Sequence, residues 1–369
     1  MKVRAAVLAR HGGPLHIETL EVRNLATSDV LVRLASTSVC HTDVEAIDGQ
    51  FAAPVPLVPG HEGAGRVEWV GSAVQQLRVG DPVVLSWNPH CSECFYCQRD
   101  QPILCSQYTG HAARALHFDG IPRLYRGATP VHQLMYAGTF AECAVVTEGC
   151  AIKIPQAMPL DLACLIGCGV MTGVGAALYT AKVQPGDTLT VLGCGAVGLS
   201  ALQGARMAGA ERIIAVDRDP ARLALATRFG ATDTLLADEH LLAAHAALTL
   251  DRGADAVIEA AGNAQAFRAS LELVRPGGRL VWLGKLPPQQ DVALRWGSLM
   301  GEKRVVRSSY GGARPQRDFP MLAQAYLEGR LLLDAYVTRR ITLEDINEGV
   351  DRLRSGHDLR ALVQLQAGL

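Results

Sequence analysis

The sequence predicts a mixed β and α/β fold, in which an all-β domain is followed by a doubly wound α/β domain. Up to about residue 150, short β-branched runs such as V-L-V-R-L-A and D-P-V-V-L-S alternate with glycine and proline, which is typical of short strands. From about residue 160, apolar strand-like runs alternate with alanine-rich helical stretches. Such βαβ repetition requires a parallel sheet with helices on both faces.

The change of pattern near residue 160 marks the main domain boundary. After about residue 305 come helical stretches around Phe319–Glu328 and Leu343–Arg354 and a final strand, A-L-V-Q-L. We expect this tail to fold back onto the first domain. The sequence therefore predicts one domain from residues 1–165 and 306–369 and a second from residues 166–305.

The composition indicates a globular chain and argues against a polyanionic partner. The 369 residues are 49% hydrophobic and 19% charged, and the formal net charge is −1, with no long run of one sign. No stretch approaches the roughly 18 uninterrupted apolar residues of a membrane span. The first residues are interrupted by charge and glycine before a signal-peptide core could form. We expect a cytoplasmic protein that binds neither nucleic acid nor a membrane.

Four cysteines lie in one 15-residue stretch, namely Cys91, Cys94, Cys97 and Cys105. Two C-x-x-C steps and a fourth cysteine can surround a tetrahedral ion with sulfurs about 2.3 Å away, as in a closed structural zinc site. Disulfides or chance clustering are the alternatives, and the tight spacing favours a metal. The lobe around this site should cover about residues 88–110.

A glycine-rich loop follows the predicted strand T-L-T-V-L and opens a helix. Its residues are Gly193, Gly195, Ala196, Val197 and Gly198. In this context the glycines allow the turn, the approach of a pyrophosphate and the packing of helix on strand. The next strand ends at Asp217, 19 residues after Gly198. A carboxylate at this position accepts hydrogen bonds from the ribose hydroxyls and repels a 2′-phosphate. The sequence predicts NAD rather than NADP, although the adjacent Arg218 could tolerate the phosphate and Asp217 could be a solvated loop acid.

Three further segments, C-H-T-D, G-H-E and G-C-G, contain a second set of candidate ligands. They supply the two thiols of Cys40 and Cys168 and the imidazole of His61. Three protein ligands with an open fourth position are typical of catalytic zinc. Each residue alone would be interpreted as an inert core cysteine or an ordinary hydrogen-bonded histidine.

The chain resembles the zinc-dependent medium-chain alcohol dehydrogenases along essentially its whole length. The matching segments occur in order: C-H-T-D, G-H-E-G-A-G, the four-cysteine lobe, I-G-C-G-V-M-T-G, G-C-G-A-V-G and D-L-R-A. The resemblance implies a GroES-like β domain that carries both zinc ions and a Rossmann domain that carries NAD, with the active site between them. It also implies reversible oxidation of an alcohol to an aldehyde, with zinc as a Lewis acid and NAD as the hydride acceptor.

By this resemblance, Cys40, His61 and Cys168 ligate the catalytic zinc. Glu62 would lie behind the zinc as a transient ligand, and Asp43 would hold the second nitrogen of His61. On the substrate side, the resemblance implies that Thr42 binds the substrate oxygen and that Glu45, or water, receives the proton. On the cofactor side, it implies that His41 and Arg360 contact the pyrophosphate and that Arg222 covers the adenosine ribose. Thr172 and the backbone of Leu283 would lie near the nicotinamide.

The resemblance also suggests an apolar substrate pocket lined by Trp87, Val58 and Phe140, although Val58 and Phe140 could equally be plain core. An aromatic, allylic or medium-chain primary alcohol fits such a pocket better than a polyol. The main alternative is a glutathione-dependent formaldehyde dehydrogenase. That branch carries an arginine in place of Thr109 and a glutamate in place of Ala52, and both help bind glutathione.

A non-catalytic structural relative of the same fold is the alternative outside enzymology, and the retained metal ligands argue against it. Because Rossmann-domain edge strands commonly pair across a two-fold axis in this family, we expect a homodimer, with a tetramer as the alternative.

Overall fold

The chain folds as two units in a computed structural model that describes residues 1–50, 53–108 and 115–365. The first unit comprises Met1–Cys168 together with the chain from Arg314 onwards, and the second comprises Gly169–Ala313. The positions Ala52 and Thr109, which distinguish the formaldehyde dehydrogenase alternative, lie outside the described residues.

The first unit is built mainly from short strands. They are β1 Lys2–Leu8, β2 Leu15–Val22, β3 Asp29–Ser38, β4 Leu57–Val58, β5 Glu62–Val70, β6 Pro82–Leu85, β7 Leu124–Arg126, β8 Thr129–Gln133, β9 Cys143–Thr147, β10 Ala151–Lys153, β17 Val337–Ile341 and β18 Arg360–Gln364. Strands β1, β2, β7, β8 and β4 close into a barrel, and the larger sheet has the order β10-β6-β5-β3-β18-β17, with β9 also paired to β3. The predicted all-β first domain is confirmed.

The C-terminal tail joins this larger sheet. Strand β18 pairs antiparallel with β3, so that Leu362 lies opposite Ser38. The helices of this unit are α1 His41–Ile47, α2 Leu160–Ala163, α8 Pro315–Leu327 and α9 Ile346–Arg354. The tail thus forms part of the first unit.

The same sheet brings distant segments to one edge. Because β3 is antiparallel to both β5 and β18, its carboxyl end lies beside the first residues of the other two strands. Ser38, the last residue of β3, is opposite Glu62, the first residue of β5, and β18 begins at Arg360. Side chains at these three strand ends can therefore meet.

The second unit contains one parallel sheet of six strands. They are β11 Thr188–Leu192, β12 Arg212–Asp217, β13 Asp233–Leu236, β14 Ala254–Glu259, β15 Val274–Trp282 and β16 Arg304–Arg307. The order β13-β12-β11-β14-β15-β16 is the doubly wound dinucleotide-binding arrangement, which reverses direction between β11 and β14. All residues of β11 and β14 are buried, as expected for strands covered on both faces. The predicted Rossmann domain is confirmed.

The helices of the second unit connect these strands. They are α3 Gly169–Gly175, α4 Ala196–Met207, α5 Pro220–Arg228, α6 Leu241–Leu248 and α7 Ala264–Leu273. Two of them start with side-chain caps that satisfy free backbone N–H groups: Asp219 accepts from the Ala221 N–H and Asn263 from the Ala266 N–H, both at 2.9 Å.

Among the described residues, no single helix is long and apolar enough to cross a membrane. One bent pair, Leu160–Gly167 with Gly169–Thr180, passes that test by length and composition only.

Candidate active site

Four potential metal ligands converge at the edge where β3 and β5 meet. The ligand atoms of Cys40, His61, Glu62 and Cys168 all lie within 4.8 Å of one another. Cys40 follows β3, and His61 immediately precedes β5. Cys168 follows a 3₁₀ turn over Cys164–Gly167 that packs against β5 and β6. Non-local strand pairing thus gathers residues that are far apart in the chain.

Asp43 organises this group from the third position of α1. Its buried carboxylate accepts the Cys40 N–H at 2.9 Å, the Gly60 N–H at 3.1 Å and the His61 Nδ1–H at 2.8 Å. With its proton on Nδ1, His61 presents a lone pair at Nε2. That atom is buried and lacks a hydrogen-bond partner in the described part of the chain, as a nitrogen reserved for a metal would. Two sulfurs and one imidazole suit zinc.

Glu62 lies beside the ligands and is held by two neighbours. The Ser38 hydroxyl donates to Oε2, and the Arg360 guanidinium donates to Oε1 at 3.3 Å. Burial raises the pKa of Glu62, while the charge of Arg360 opposes the increase. Arg360 Nη2 also lies 3.8 Å from Cys40 Sγ. The sequence analysis did not identify Ser38, because its role appears only when the register of β3 against β5 is known.

The two site thiols differ in acidity. The hydrogen bond from Cys168 lowers the pKa of Cys40 well below that of a free thiol, and the charge of Arg360 adds to this effect. The same interaction, together with burial, raises the pKa of Cys168. These directions favour the thiolate, the form of cysteine that binds metals, at Cys40.

The segment before His61 needs glycine. Gly60 has φ +90°, and a Cβ there would lie 2.5 Å from both Phe140 Cδ1 and Thr139 Oγ1. Phe140 and Val58 are completely buried in the core of the first unit, whereas Trp87 is partly buried against that core. The Trp87 ring lies 6.1 Å from that of Tyr108. An aromatic ring therefore packs directly beside the residue that precedes His61.

Three more predicted residues lie on α1. Thr42 is buried, Glu45 is half-buried and His41 is exposed in the first turn. Thr42 and Glu45 are three residues apart, a spacing that puts side chains on one face of a helix. Arg360, predicted with His41 at the pyrophosphate, is 6% exposed and contacts Glu62 and Cys40.

The second cysteine cluster has the dimensions of a tetrahedral site. Sulfur–sulfur distances are 3.9 Å for Cys91–Cys97, 3.5 Å for Cys94–Cys97 and 3.6 Å for Cys91–Cys105. Four sulfurs about 2.3 Å from one zinc would be about 3.8 Å apart. Backbone N–H groups lower the pKa of Cys94 to about 5, which favours the thiolate. None of these four residues forms a disulfide bond in the described part of the chain, so the structure does not support the disulfide alternative.

The other four cysteines are buried thiols. Burial raises the pKa to about 12 for each of Cys143, Cys150, Cys164 and Cys194. Such thiols are inert core residues.

A cavity of about 700 Å³ lies at the carboxyl ends of the parallel strands in the second unit, and Gly193, Gly195, Asp217 and Arg222 are among its lining residues. A Cβ on Gly195 would meet nothing within 4 Å, so this glycine faces open space at the start of α4. A Cβ on Gly198 would lie 1.7 Å from the Gly193 carbonyl oxygen. The helix can therefore pack this closely against the turn only because glycine has no side chain. This cradle fits a dinucleotide pyrophosphate.

Asp217 also holds the glycine turn. Its carboxylate accepts the Cys194 N–H at 2.7 Å and the Asp219 N–H at 3.0 Å. The cavity has further charged lining residues, Arg218, Asp238 and Glu239. The last two were missed in the sequence analysis, although their position just after β13 could have indicated them.

Seven predicted cofactor residues are not part of this cavity lining: His41, Thr172, Ala196, Val197, Gly198, Leu283 and Arg360. Ala196 and Val197 form the first turn of α4, and Thr172 lies in α3. The Leu283 N–H already donates to the Glu259 carbonyl oxygen at 2.8 Å, so only its carbonyl could be offered to a cofactor.

Comparison with known proteins identifies both domains. Residues 26–156 match the family model of the alcohol dehydrogenase GroES-like domain, and residues 196–328 match that of the zinc-binding dehydrogenases. Alcohol dehydrogenase class-3 of Myxine glutinosa is 36% identical and aligns over 98% of this chain and 97% of its own length. S-(hydroxymethyl)glutathione dehydrogenase of Escherichia coli O1:K1 is 36% identical and aligns over 99% of this chain and 100% of its own length. The crystal structure of benzyl alcohol dehydrogenase from Acinetobacter calcoaceticus has a TM-score of 0.93, is 30% identical and covers 99% of this chain and 100% of its own.

These matches confirm the predicted alcohol dehydrogenase function, the zinc and NAD cofactors and a small alcohol as substrate, and they exclude a purely structural role. The chain belongs to the zinc-dependent medium-chain alcohol dehydrogenases.

Proposed function

We propose that this enzyme reversibly oxidises a primary alcohol with an aromatic, allylic or medium-chain apolar group. The observation that carries the proposal is the aromatic packing beside the segment that precedes His61. The Phe140 ring packs against Gly60, directly before His61, and the partly buried Trp87 extends the aromatic surface toward Tyr108. Such surfaces bind apolar groups and offer few fixed partners to a polyol. The similarity to a benzyl alcohol dehydrogenase supports the same class.

We assign the catalytic zinc to Cys40, His61 and Cys168, and the structural zinc to Cys91, Cys94, Cys97 and Cys105. When bound, the catalytic zinc supplies Lewis acidity toward the alcohol oxygen and NAD accepts the hydride.

The remaining residues prepare the site for proton transfer. Asp43 fixes the His61 tautomer, and Ser38 and Arg360 hold Glu62 beside the ligands. The Thr42 hydroxyl accepts the proton of the alcohol while it gives up its own proton, and Glu45, on the same face of α1, receives that proton directly or through water.

The second candidate substrate is S-(hydroxymethyl)glutathione, because a relative of that name is 36% identical along the chain. Against it stand Thr109 and Ala52, at positions where that branch carries arginine and glutamate. Losing the arginine would leave a glutathione carboxylate poorly paired.

Initial rates of NADH formation separate the two substrates. The panel contains benzyl, cinnamyl, geranyl, hexyl and ethyl alcohols, and formaldehyde with glutathione. We expect kcat/KM for benzyl and cinnamyl alcohols to exceed that for ethanol at least about 100-fold, since each buried CH₂ contributes about 0.8 kcal/mol. Dominant activity with the glutathione adduct would overturn the substrate proposal while leaving the zinc and NAD assignments intact.

Replacing Asp217 by serine is expected to shift cofactor preference from NAD toward NADP. Serine removes the charge that repels a 2′-phosphate and leaves Arg218 and Arg222 in the cavity. The ratio of kcat/KM for NAD to that for NADP should fall about 100-fold, or about 2.7 kcal/mol. The control is Asp238→Asn, which neutralises another lining acid and should change the ratio less than about threefold. An unchanged ratio in Asp217→Ser would refute the role of Asp217.

We further propose a cytoplasmic homodimer, with a tetramer as the alternative and without nucleic-acid or membrane partners. Strand β16 lies at the edge of the six-stranded sheet, and Trp296, Met300 and Val306 nearby in the chain are exposed. An exposed edge with apolar side chains suits pairing with a second copy. Light scattering on the native enzyme tests this, and a monomer would contradict it.

A further inference from the structure

One completely buried carboxylate in the second unit has no role in the chemistry above. Glu259 is the last residue of β14 and is 0% exposed. Its Oε1 accepts the Ala261 N–H at 2.9 Å and the Gly262 N–H at 2.7 Å. Its Oε2 is buried without a hydrogen-bond partner in the described ranges. A carboxyl group is costly to bury, so its presence calls for a physical reason.

Glu259 also contacts the loop that leaves the next strand. Its backbone carbonyl oxygen accepts the Leu283 N–H at 2.8 Å and the Gly284 N–H at 3.1 Å. A Cβ on Gly284 would lie 2.4 Å from Glu259 Oε2 and 2.5 Å from Gly262. The loops that follow β14 and β15 therefore pack around this one residue.

The loop after β14 lies at the cofactor cavity, and the loop after β15 begins with Leu283, whose backbone the family resemblance implies to lie near the nicotinamide. Ala260 and Ala261 line the cavity. A Cβ on Gly193, in the glycine turn, would lie 2.7 Å from the Ala261 nitrogen. The Glu259 carboxylate thus fixes Ala261 against the turn that precedes the pyrophosphate-binding glycine, while its carbonyl fixes the start of the second loop.

We propose that Glu259 is a positioning residue for the dinucleotide: its carboxylate and carbonyl hold the loops after β14 and β15 in the shape that receives NAD. Glu259 does not line the cavity itself and acts through the backbone of Ala261, Gly262 and Gly284. The inference rests on the assignment of NAD to this cavity and is independent of which alcohol is oxidised.

The test is NADH binding to the full-length enzyme, measured by fluorescence titration without alcohol. Glu259→Leu removes the acceptor and should raise the Kd for NADH about tenfold or more, because the Ala261 and Gly262 N–H groups lose the acceptor that fixes their loop. Glu259→Gln keeps one carbonyl oxygen as an acceptor and should stay within about threefold of the native enzyme. The matched control is Thr190→Val, which removes the buried 2.9 Å contact between Thr190 Oγ1 and His245 Nε2 in the same sheet. It should lower the melting temperature but leave the Kd unchanged.

A second variant covers the case in which Glu259→Leu does not fold. Gly284→Ala keeps the Glu259 side chain, but its new Cβ would displace the carboxylate, and it should weaken NADH binding about tenfold. The proposal is overturned if Glu259→Leu, or Gly284→Ala, lowers the melting temperature like Thr190→Val yet keeps the native Kd. It is also overturned if Glu259→Gln binds NADH as weakly as Glu259→Leu. A changed alcohol preference in the substrate panel affects only the proposed substrate, since NADH binding is measured in its absence.

Discussion

Asp43→Ala is expected to lower the affinity of the active site for zinc by about 10–100-fold, the usual cost of removing a carboxylate that orients a ligating histidine. The three N–H groups of Cys40, Gly60 and His61 lose their shared acceptor at once. Without it, the His61 ring can rotate and either nitrogen can carry the proton. Zinc content after dialysis against a competing chelator measures the effect, and turnover should fall in parallel.

The control for Asp43 is a carboxylate paired at the surface of the same unit. Glu21 contacts Arg23 at 2.6 Å, and both side chains are about 40% exposed. Such exposed pairs contribute little, so Glu21→Gln should keep native zinc content and turnover. If Asp43→Ala retained two zinc ions per chain and full turnover, the proposed catalytic ligand set would be wrong.

Cys105→Ser is expected to leave one zinc ion per chain and to unfold the cysteine lobe. Cys105 is completely buried, and its sulfur accepts the Cys91 N–H at 3.4 Å. A structural zinc contributes its binding free energy directly to folding. The melting temperature should therefore fall by about 10 °C or more, as measured by calorimetry together with metal analysis.

Cys150→Ala is the matched control, because Cys150 is a buried thiol of the same hydrophobic cluster. Alanine removes one sulfur atom and should lower the melting temperature only a few degrees, with two zinc ions retained. Equal zinc content in both variants would show that Cys105 is not a ligand.

The parts of the fold that depend on residues close together in the sequence were predictable. The strands of the parallel sheet are continuous apolar runs, and their helices follow in alternation, so β11, α4 and β12 could be read directly. The four-cysteine cluster was equally accessible, because all its ligands lie within 15 residues and their spacing alone can satisfy a tetrahedral ion. The glycine loop belongs to the same class, since its turn and helix start are local properties.

The contacts that depend on register were not predictable from spacing. Ser38 reaches Glu62 only because β3 and β5 pair with these residues opposite each other, and Arg360 joins them through β18. Glu259 resembles any acid at a strand end, and its importance appears only when two loops are seen to pack around it. The resemblance to a known family suggested Cys40, His61 and Cys168 together with Asp43 behind His61, but it did not indicate the contacts of Ser38 and Arg360 with Glu62.

The sequence by itself determined the secondary-structure pattern, the division into β and α/β domains, the closed cysteine cluster and the dinucleotide loop, because each arises from interactions between residues close in the chain. Only the tertiary structure decided which further buried groups support the site, namely Ser38 and Arg360 on Glu62 and Glu259 under the loops after β14 and β15. The physical reason is that a buried polar group must find its partners across strands and turns. Those partners are set by strand register and chain reversal over long separations, which no local pattern encodes.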